Sequence, residues 1–497
     1  MMDEKDERWN DDGDIKTDGC LLSSRGHELM FRCIALLLCL FLYCCTGYSF
    51  TLQRRITLRQ SRIEMDNKDD LSTSTQGIED ATIPLLQKPE KENENEKSED
   101  SSDWINSAIL VAGTTVGAGV LALPEVAAPS GIIPSVIALI ITWGFMASTG
   151  LLYSEVASNL RRSEGAGMSF GVLSMIDKTL GRPVGAVAGA FYLFIHYTIL
   201  TAYISEAGNV INDTLSVQEI GAPLFALSSG AVLLFGSEAI LENINGLSLG
   251  IILASFFALA LIGGRLFDLE YALSTQNYSV VTSALPIMLL ALVYHNVVPV
   301  ITQQLNYDKS KIEKAIIIGT AVPLFMFIVW IVVILGIKPD LTSIVVGDGR
   351  LDPVAVLRDT SSNPFIPPLV QTFSLFAIST SFTGFVLGLD NFFRDLFPSR
   401  KSQDFGLYAL CIVPPLLIST TGASDMFIEL LDSAGSYGIT VLFGAIPAIM
   451  AFKMRSDAAE NNADYVEYVD GGNPVLLGIF ASAVFVLVQK IISTSSV

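Results

Sequence analysis

GTTVGAGVLALP, Gly113 to Pro124, stands in the middle of an apolar run that begins at Trp104. Gly113, Gly117 and Gly119 carry no side chains and tolerate non-helical backbone. Pro124 lacks the N–H that a helix interior needs and disturbs the turn before it. Thr114 and Thr115 supply hydroxyls that can stand in for lost backbone partners. A span written this way is expected to be interrupted. Irregular backbone at membrane depth is tolerated only where it is buried in protein or lines a cavity. The competing reading is a packing face, because Gly113 and Gly117 also fit the GxxxG spacing of closely packed helices. A nucleotide-binding glycine loop is ruled out, since the string follows no strand and opens no βαβ unit.

A second run decides between interruption and packing. SALPIMLLALVYHNVVPVITQQL, Ser283 to Leu305, places Tyr294, His295 and Asn296 at mid-span, with Pro299 just beyond. Pro299 is expected to orphan the carbonyl of His295, four residues back. These are the first and sixth of about eleven apolar runs, at 104–127, 132–158, 183–208, 221–237, 240–263, 282–304, 312–336, 365–390, 405–421, 427–452 and 474–492. Each is near the ~20 residues a helix needs to cross a bilayer. The expected fold is therefore an all-α polytopic membrane protein. Residues 104–263 form one five-helix repeat, 282–452 a second, and 474–492 an additional helix. Paired interruptions at matching positions of two halves mark the binding site of secondary transporters. An unwound helix offers amide donors at one half-helix start and carbonyls at the other half-helix end. The donors suit a carboxylate and the carbonyls suit an ammonium or a cation, so a zwitterionic amino acid matches both.

The composition supports this class. The chain has 497 residues, of which 51% are hydrophobic and 16% charged, with a formal net charge of −20. Many of the acids precede Asp103, and no basic patch exists to neutralise phosphates, which excludes nucleic acid as a partner. The six cysteines have neither metal-ligand nor disulfide-framework spacing. No HExxH and no cysteine–histidine pairing appears, so an enzyme and a metal site are not expected. A channel is disfavoured because no ring of like charges or repeated filter loop is present. Lys and Arg concentrate in the loops after the second, sixth, eighth and tenth runs, which puts the N-terminus on the positive side and the C-terminus opposite. The sequons Asn212-Asp213-Thr214 and Asn277-Tyr278-Ser279 fall in expected outer loops.

The first hundred residues read differently. Residues 30–49 have a positive start, a short apolar stretch and small residues at its end, as in a secretory signal. Residues 50–63 are basic, hydroxyl-containing and free of acid, as in a transit segment. Together, residues 1–63 resemble the two-part presequence of algal plastids bounded by extra membranes. The alternative is an N-terminal anchor with a basic flank. Residues 64–103 are acidic and of low complexity, and are expected to be a disordered linker. The plastid inner envelope is the expected location, with the plasma membrane or endomembranes as alternatives.

Further polar residues lie inside apolar runs. Tyr192 and His196 are four apart on the third run and share a helix face. They read either as an aromatic pocket or proton relay, or as a satisfied buried histidine with interfacial tyrosines. Ser379, Thr380, Ser381 and Thr383 on the eighth run read as a substrate or ion site, or as helix–helix hydrogen bonding. Glu155, Glu242, Asp390 and Asp432 lie near run ends and read as loop-side or interfacial carboxylates rather than proton carriers.

GTTVGAGVLALP, the SGIIPSVIALIITWGFMASTGLLYSEV after it, LVYHNVVPVIT of the sixth run and TGFVLGLDNFFRDLF of the eighth resemble the tryptophan/tyrosine permease family. That family belongs to the amino acid/polyamine/organocation superfamily, and the chain looks closer to its plastid and cyanobacterial members. The resemblance spans Trp104 to Ile492. It implies the five-plus-five inverted-repeat fold with an eleventh helix, and proton-driven uptake of aromatic amino acids without a cofactor. It further implies that Gly113, Thr114, Thr115, Gly117, Ala118 and Gly119 hold the substrate main chain, with Tyr294, His295 and Asn296 on the other side. In superfamily relatives, span-eight hydroxyls and span-one carbonyls form a sodium site, here Thr380 or Ser381 near Gly113. Sodium coupling, a broader neutral amino acid substrate, and a non-transporting sensor on the same fold remain alternatives. The acidic N-terminal extension departs from the family core.

Overall fold

The computed structural model describes residues 94–165, 171–217, 219–236, 238–338, 365–397, 405–421 and 427–495. The chain divides into two units, Met1–Gly77 and Ile78–Val497, and every described residue belongs to the second. The signal-like and transit-like segments and most of the acidic linker lie outside the described residues. The last part of the linker is helical, because the first helix starts at Glu94.

Each apolar run of the sequence falls on helix. The first is Glu94–Thr115 followed by Gly119–Ala127, bent by 58° at the break. Then come Ile132–Glu164, Arg182–Leu215, Gly221–Phe235 and Glu238–Arg265. The sixth span is Leu285–Ala291 and Val298–Gln304, with 3₁₀ turns at Val281–Ala284 and His295–Val297. The remainder are Lys309–Leu335, Ile366–Leu396, Phe405–Ser419, Phe427–Asn461 and Gly472–Ser495. Among the described residues, eight helices are long and apolar enough to cross a membrane, or nine with the bent first pair taken as one. The fourth and ninth spans are shorter, at 15 residues each. The chain is an integral, multi-pass, all-α membrane protein.

Burial separates central from peripheral spans. Of their apolar stretches, 78% of the tenth and 67% of the third and sixth are enclosed, against 17% of the eleventh. The outermost apolar side chains, such as Ile141, Leu261, Phe325 and Leu477, are exposed, as expected where lipid replaces water. Trp330, Phe256 and Phe373 are fully buried between the fifth, seventh and eighth spans, and Phe382 of the eighth meets Phe225 of the fourth. The tenth span contains a π-helix, Ala434–Ala445, in which Thr440 Oγ1 returns to the carbonyl of Gly435 at 2.8 Å. Wide turns of this kind occur mostly as short insertions at functional sites.

The ends of the bundle are tied by backbone. Gly131, at φ 85°, turns the chain from the first span into the second, and a Cβ there would run into the carbonyl of Thr275. Across the same end, Asn277 N–H donates to Ser130 O at 2.7 Å, and Asp268 N–H to Gly336 O at 2.8 Å. Asn212 of the first sequon is not in a loop. It lies in the last turn of the third helix, and its Oδ1 accepts from Gly221 N–H at 2.8 Å.

At the other end, the loops that the charge count put on one side meet. Arg161, after the second span, stacks 4.2 Å over the ring of Tyr307, after the sixth. Lys309 donates to the carbonyl of Glu467, after the tenth, at 2.6 Å. Beneath them Glu155 is fully buried. Arg455 of the tenth helix holds it with Nε on Oε1 and Nη2 on Oε2, both at 2.8 Å. Tyr465 O–H and Tyr468 N–H donate to the same carboxylate at 2.8 Å each. Burial, then the Glu155 charge, push the Tyr465 hydroxyl above its ordinary value, so it stays a donor. Asn159 completes the strap by exchanging two hydrogen bonds with the backbone of Val466. Asp390 is likewise buried and paired with Arg394, and Asp432 is paired with Lys490.

A buried pair that loses one member leaves an uncompensated charge, at a cost of about 3–5 kcal/mol. Glu155→Gln should therefore lower the melting temperature of the detergent-purified protein markedly. Glu155→Gln with Arg455→Met should recover most of the loss. Equal melting temperatures for wild type and Glu155→Gln would remove the pair as a structural tie.

Candidate functional site

The first break occupies Val116 to Ala118, between the two first-span helices. Two tight turns close it, from Val120 N–H to Gly117 O at 3.2 Å and from Leu121 N–H to Ala118 O at 3.1 Å. Ala118 N–H leaves the helix and donates to Ser381 Oγ of the eighth span at 3.0 Å. Gly117 lies against the same Ser381, whose hydroxyl a Cβ at Gly117 would strike. Gly119 lies against the last residue of the first sixth-span helix, with an added Cβ only 2.9 Å from Ala291 Cα. The two interrupted spans thus cross at Gly119 and Ala291.

Thr114 and Thr115 do not replace lost partners in the break. Their hydroxyls donate to Leu110 O at 2.7 Å and Val111 O at 2.8 Å, back along their own helix. Thr114 is exposed and Thr115 buried. Gly113 has nothing within 4 Å of where a Cβ would stand, so it is not a close-contact position.

The sixth span unwinds after Ala291, where Leu292 N–H reaches Met288 O and Val293 N–H reaches Leu290 O, both at 3.2 Å. Tyr294 takes φ −145° and ψ 3°, outside the helical region. Pro299 does not orphan His295 as its spacing predicted. The carbonyl of His295 accepts from Val298 N–H in a 3₁₀ turn, and Pro299 sits in the first turn of the following helix, where a missing N–H is harmless. The proline starts a new half-helix.

The side chains of this break pack on the second and tenth spans. Tyr294 O–H donates to Met146 O at 3.1 Å, in space that Gly150 leaves by having no side chain. His295 Nε2 lies 2.9 Å from Thr149 Oγ1, and Thr149 in turn reaches Met146 O at 3.1 Å. The single Thr149 proton is directed at that carbonyl, which leaves its oxygen to accept from Nε2–H. The imidazole stacks on Phe443 of the π-helix at 5.0 Å and meets Tyr153 edge-on at 5.9 Å. Tyr153 is itself anchored to Leu442 O at 2.6 Å. His295 Nδ1 and Asn296 Oδ1 are buried with no partner.

A second polar group lies between the third and eighth spans. Tyr192 and His196 stack at 4.0 Å, and His196 Nδ1 bonds the carbonyl of Tyr192 at 2.7 Å. Phe385 of the eighth span meets His196 at 5.2 Å and Tyr203 at 5.9 Å. Tyr203 hydrogen-bonds Ser381, which ties this group to the first break. Thr380, by contrast, spends its hydroxyl on Phe376 O and Ala377 O of its own helix. His196 Nε2, Thr198 Oγ1 and Ser205 Oγ on the third span, and Ser436 Oγ on the tenth, are buried without a partner. Such groups are costly unless something else hydrogen-bonds them. Among the described residues, no three His, Cys, Asp or Glu side chains gather as a metal site.

Several of these residues were not read from the sequence. Tyr203 had a signal, being seven residues after His196 and so on the same helix face. Phe385 had one too, four residues after Ser381. Tyr153, Thr149 and Phe443 had none, since their role comes from packing against a span far along the chain.

The described residues thus form a helical membrane protein whose two interrupted spans cross at a glycine. The chain belongs to the tryptophan/tyrosine permease family, whose model matches residues 100–490. It is 26% identical over 404 residues to the tyrosine-specific transport system 2 of Haemophilus influenzae, covering 78% of this chain and 96% of that protein. It is 28% identical over 396 residues to the tryptophan-specific transport protein of the same organism, covering 75% and 92%. The glutamine transporter 2 of Aliivibrio fischeri is 25% identical over 391 residues, covering 75% and 95%.

The crossing has a direct test. Gly119→Ala should force the two spans apart and destabilise the protein by ~1–3 kcal/mol, the range for overpacking. Gly113→Ala should be neutral or mildly stabilising, because a methyl meets nothing there and alanine is the better helix former. Thermal unfolding of the two variants, side by side, distinguishes a crossing at Gly119 from a general intolerance of alanine.

Proposed function

We propose that this chain is a secondary active transporter of aromatic amino acids, tyrosine or tryptophan, working by alternating access of a five-plus-five inverted repeat and driven by protons. The observation that carries the reading is the crossing of two interrupted spans at Gly119 and Ala291, beside a buried, unpaired histidine nitrogen. Broken helices present amide and carbonyl groups that suit the carboxylate and ammonium of an amino acid. In this reading Gly117, Ala118 and Gly119 receive the main chain, with Gly113, Thr114 and Thr115 supporting the half-helix before them. Asn296, through its unpaired Oδ1, faces the ammonium side. Tyr294 and His295 lock the sixth-span break onto the second and tenth spans. Tyr192 and His196 lie on the side toward the substrate ring.

His295 is assigned to proton coupling. Its Nδ1 is a buried acceptor with no partner, and its Nε2 is steered by Thr149. Ionisable groups within membranes mark substrate and proton pathways. A sodium site at Thr380 or Ser381 is less well supported, because Thr380 is bonded within its helix and Ser381 already serves Ala118 and Tyr203. A broader neutral amino acid substrate is the second reading, favoured by the similarity to a relative named as a glutamine transporter.

Full-length protein in proteoliposomes, with an imposed pH gradient and no sodium, should concentrate labelled tyrosine and tryptophan and lose them on adding a protonophore. His295→Ala should reduce that concentrative uptake at least roughly tenfold while substrate exchange without a gradient persists, as befits an intramembrane ionisable group on the proton path. Uptake that requires sodium would overturn the proton. Uptake of glutamine in preference to both aromatic amino acids would overturn the substrate.

A further inference from the structure

His196 has a fixed tautomer. Its Nδ1 lies 2.7 Å from the carbonyl of Tyr192, and a carbonyl can only accept, so Nδ1 carries the proton. In the neutral ring Nε2 is then a bare acceptor. It is fully buried and has no partner in the protein. A buried acceptor without a donor is destabilising, and it is relieved by any group that brings an N–H or O–H to it.

The surroundings define what can bring that donor. The imidazole is stacked on Tyr192, with Phe392 on the far face of Tyr192 at 5.2 Å and Phe385 at its edge. In front of Nε2 stands Gly388 of the eighth span, where a Cβ would come within 3.3 Å of that nitrogen. A Cβ there would also press on the Tyr192 hydroxyl, at 3.2 Å, so the glycine is what lets the eighth span approach this stacked pair so closely. The walls are thus aromatic, and the polar atoms among them are the Tyr192 hydroxyl and the unpaired Nε2 acceptor. This matches the edge of an aromatic ring that carries a hydrogen-bond donor.

The register links this acceptor to the first break. His196 and Tyr203 are on one face of the third helix, two turns or ~10 Å apart at the usual rise per residue. Tyr203 bonds Ser381, and Ser381 receives Ala118 N–H from the break. Phe385 lies against both His196 and Tyr203, between the two levels. A ligand whose main chain meets Ala118 and whose ring runs along Phe385 brings the ring's far edge to Nε2.

We propose that His196 is the specificity-determining residue, accepting a hydrogen bond from the phenolic O–H of tyrosine or the indole N–H of tryptophan and thereby disfavouring phenylalanine. The proposal rests on the aromatic amino acid reading above. Phenylalanine has the same main chain and a similar ring but leaves Nε2 desolvated and unpaired. A site that hydrogen-bonds a substrate donor rejects the analogue without it more strongly than an apolar pocket rejects a change of shape.

The test is competition in exchange assays on full-length protein in proteoliposomes, with labelled tryptophan as the reporter. The competitors are tyrosine, tryptophan, phenylalanine and 3-benzothienylalanine, in which sulfur replaces the indole N–H with little change in shape. In the wild type, phenylalanine and benzothienylalanine should compete at least about tenfold less well than tyrosine and tryptophan, the scale of one unpaired buried acceptor. His196→Gln, which keeps an acceptor on a similar reach, should retain the preference. His196→Leu should erase it by weakening tyrosine and tryptophan while leaving phenylalanine unchanged or better. Equal competition by all four in the wild type would overturn the inference and leave aromatic transport intact. A His196→Leu protein that loses all four ligands in proportion would assign His196 to packing and also overturn it. Failure of the wild type to exchange any aromatic amino acid would instead bring down the reading on which the inference rests.

Discussion

A backbone N–H or carbonyl without a partner inside a bilayer costs several kcal/mol, because no water is there to replace it. Every unusual feature of this molecule answers to that constraint. The first span can open only because Ser381 accepts the N–H that Ala118 releases. The sixth span can open because the 3₁₀ turn at His295–Val297 takes up the carbonyls of Tyr294 and His295, and a proline with no N–H to satisfy begins the next half-helix. Neither interruption is self-sufficient. The first depends on the eighth span, and it can approach the sixth only through a residue with no side chain.

The unpaired atoms that remain are then informative. Hydrogen bonds are made where the architecture needs them, at Tyr153, Thr149, Tyr294 and Ser381. The exceptions are concentrated on the third, sixth and tenth spans, the most enclosed part of the bundle. A protein that satisfied only its own resting structure would place such atoms elsewhere or remove them. The buried Glu155–Arg455 pair follows the opposite rule. Its carboxylate is saturated by donors from two chain segments, and the pair ties the second span, the tenth span and the strap after it into one end of the molecule. Polar groups inside this protein are therefore of two kinds, one closed and one held open.

Much of this was legible in advance. The apolar runs were visible because each is long and nearly free of charge, and the breaks because glycine, proline and polar residues are conspicuous in such a background. The positive loops after the second, sixth and tenth spans do meet at one end. The side-chain directions were not legible. A helix that is apolar on all faces has no amphipathic stripe to say which side points inward. The sequence therefore could not say that Tyr294 and His295 pack on the second and tenth spans, or that Thr114 lies exposed. Nor could it anticipate the π-helix of the tenth span, since AGSYGITVLFGA also suits an ordinary α-helix.

What the sequence determined alone was chain-local: where the spans lie, which two are interrupted, and which polar residues enter the apolar layer. These follow from side-chain volume, proline and glycine chemistry, and transfer to lipid, all of which act within a turn or two. What the tertiary structure decided was pairing. Ala118 meets Ser381 across 263 residues, and Glu155 meets Arg455 across 300. No local pattern encodes such partners. The same serine, histidine or glutamate is an ion ligand, a helix tie or a substrate contact according to the atom that faces it, and only the packed bundle sets that atom.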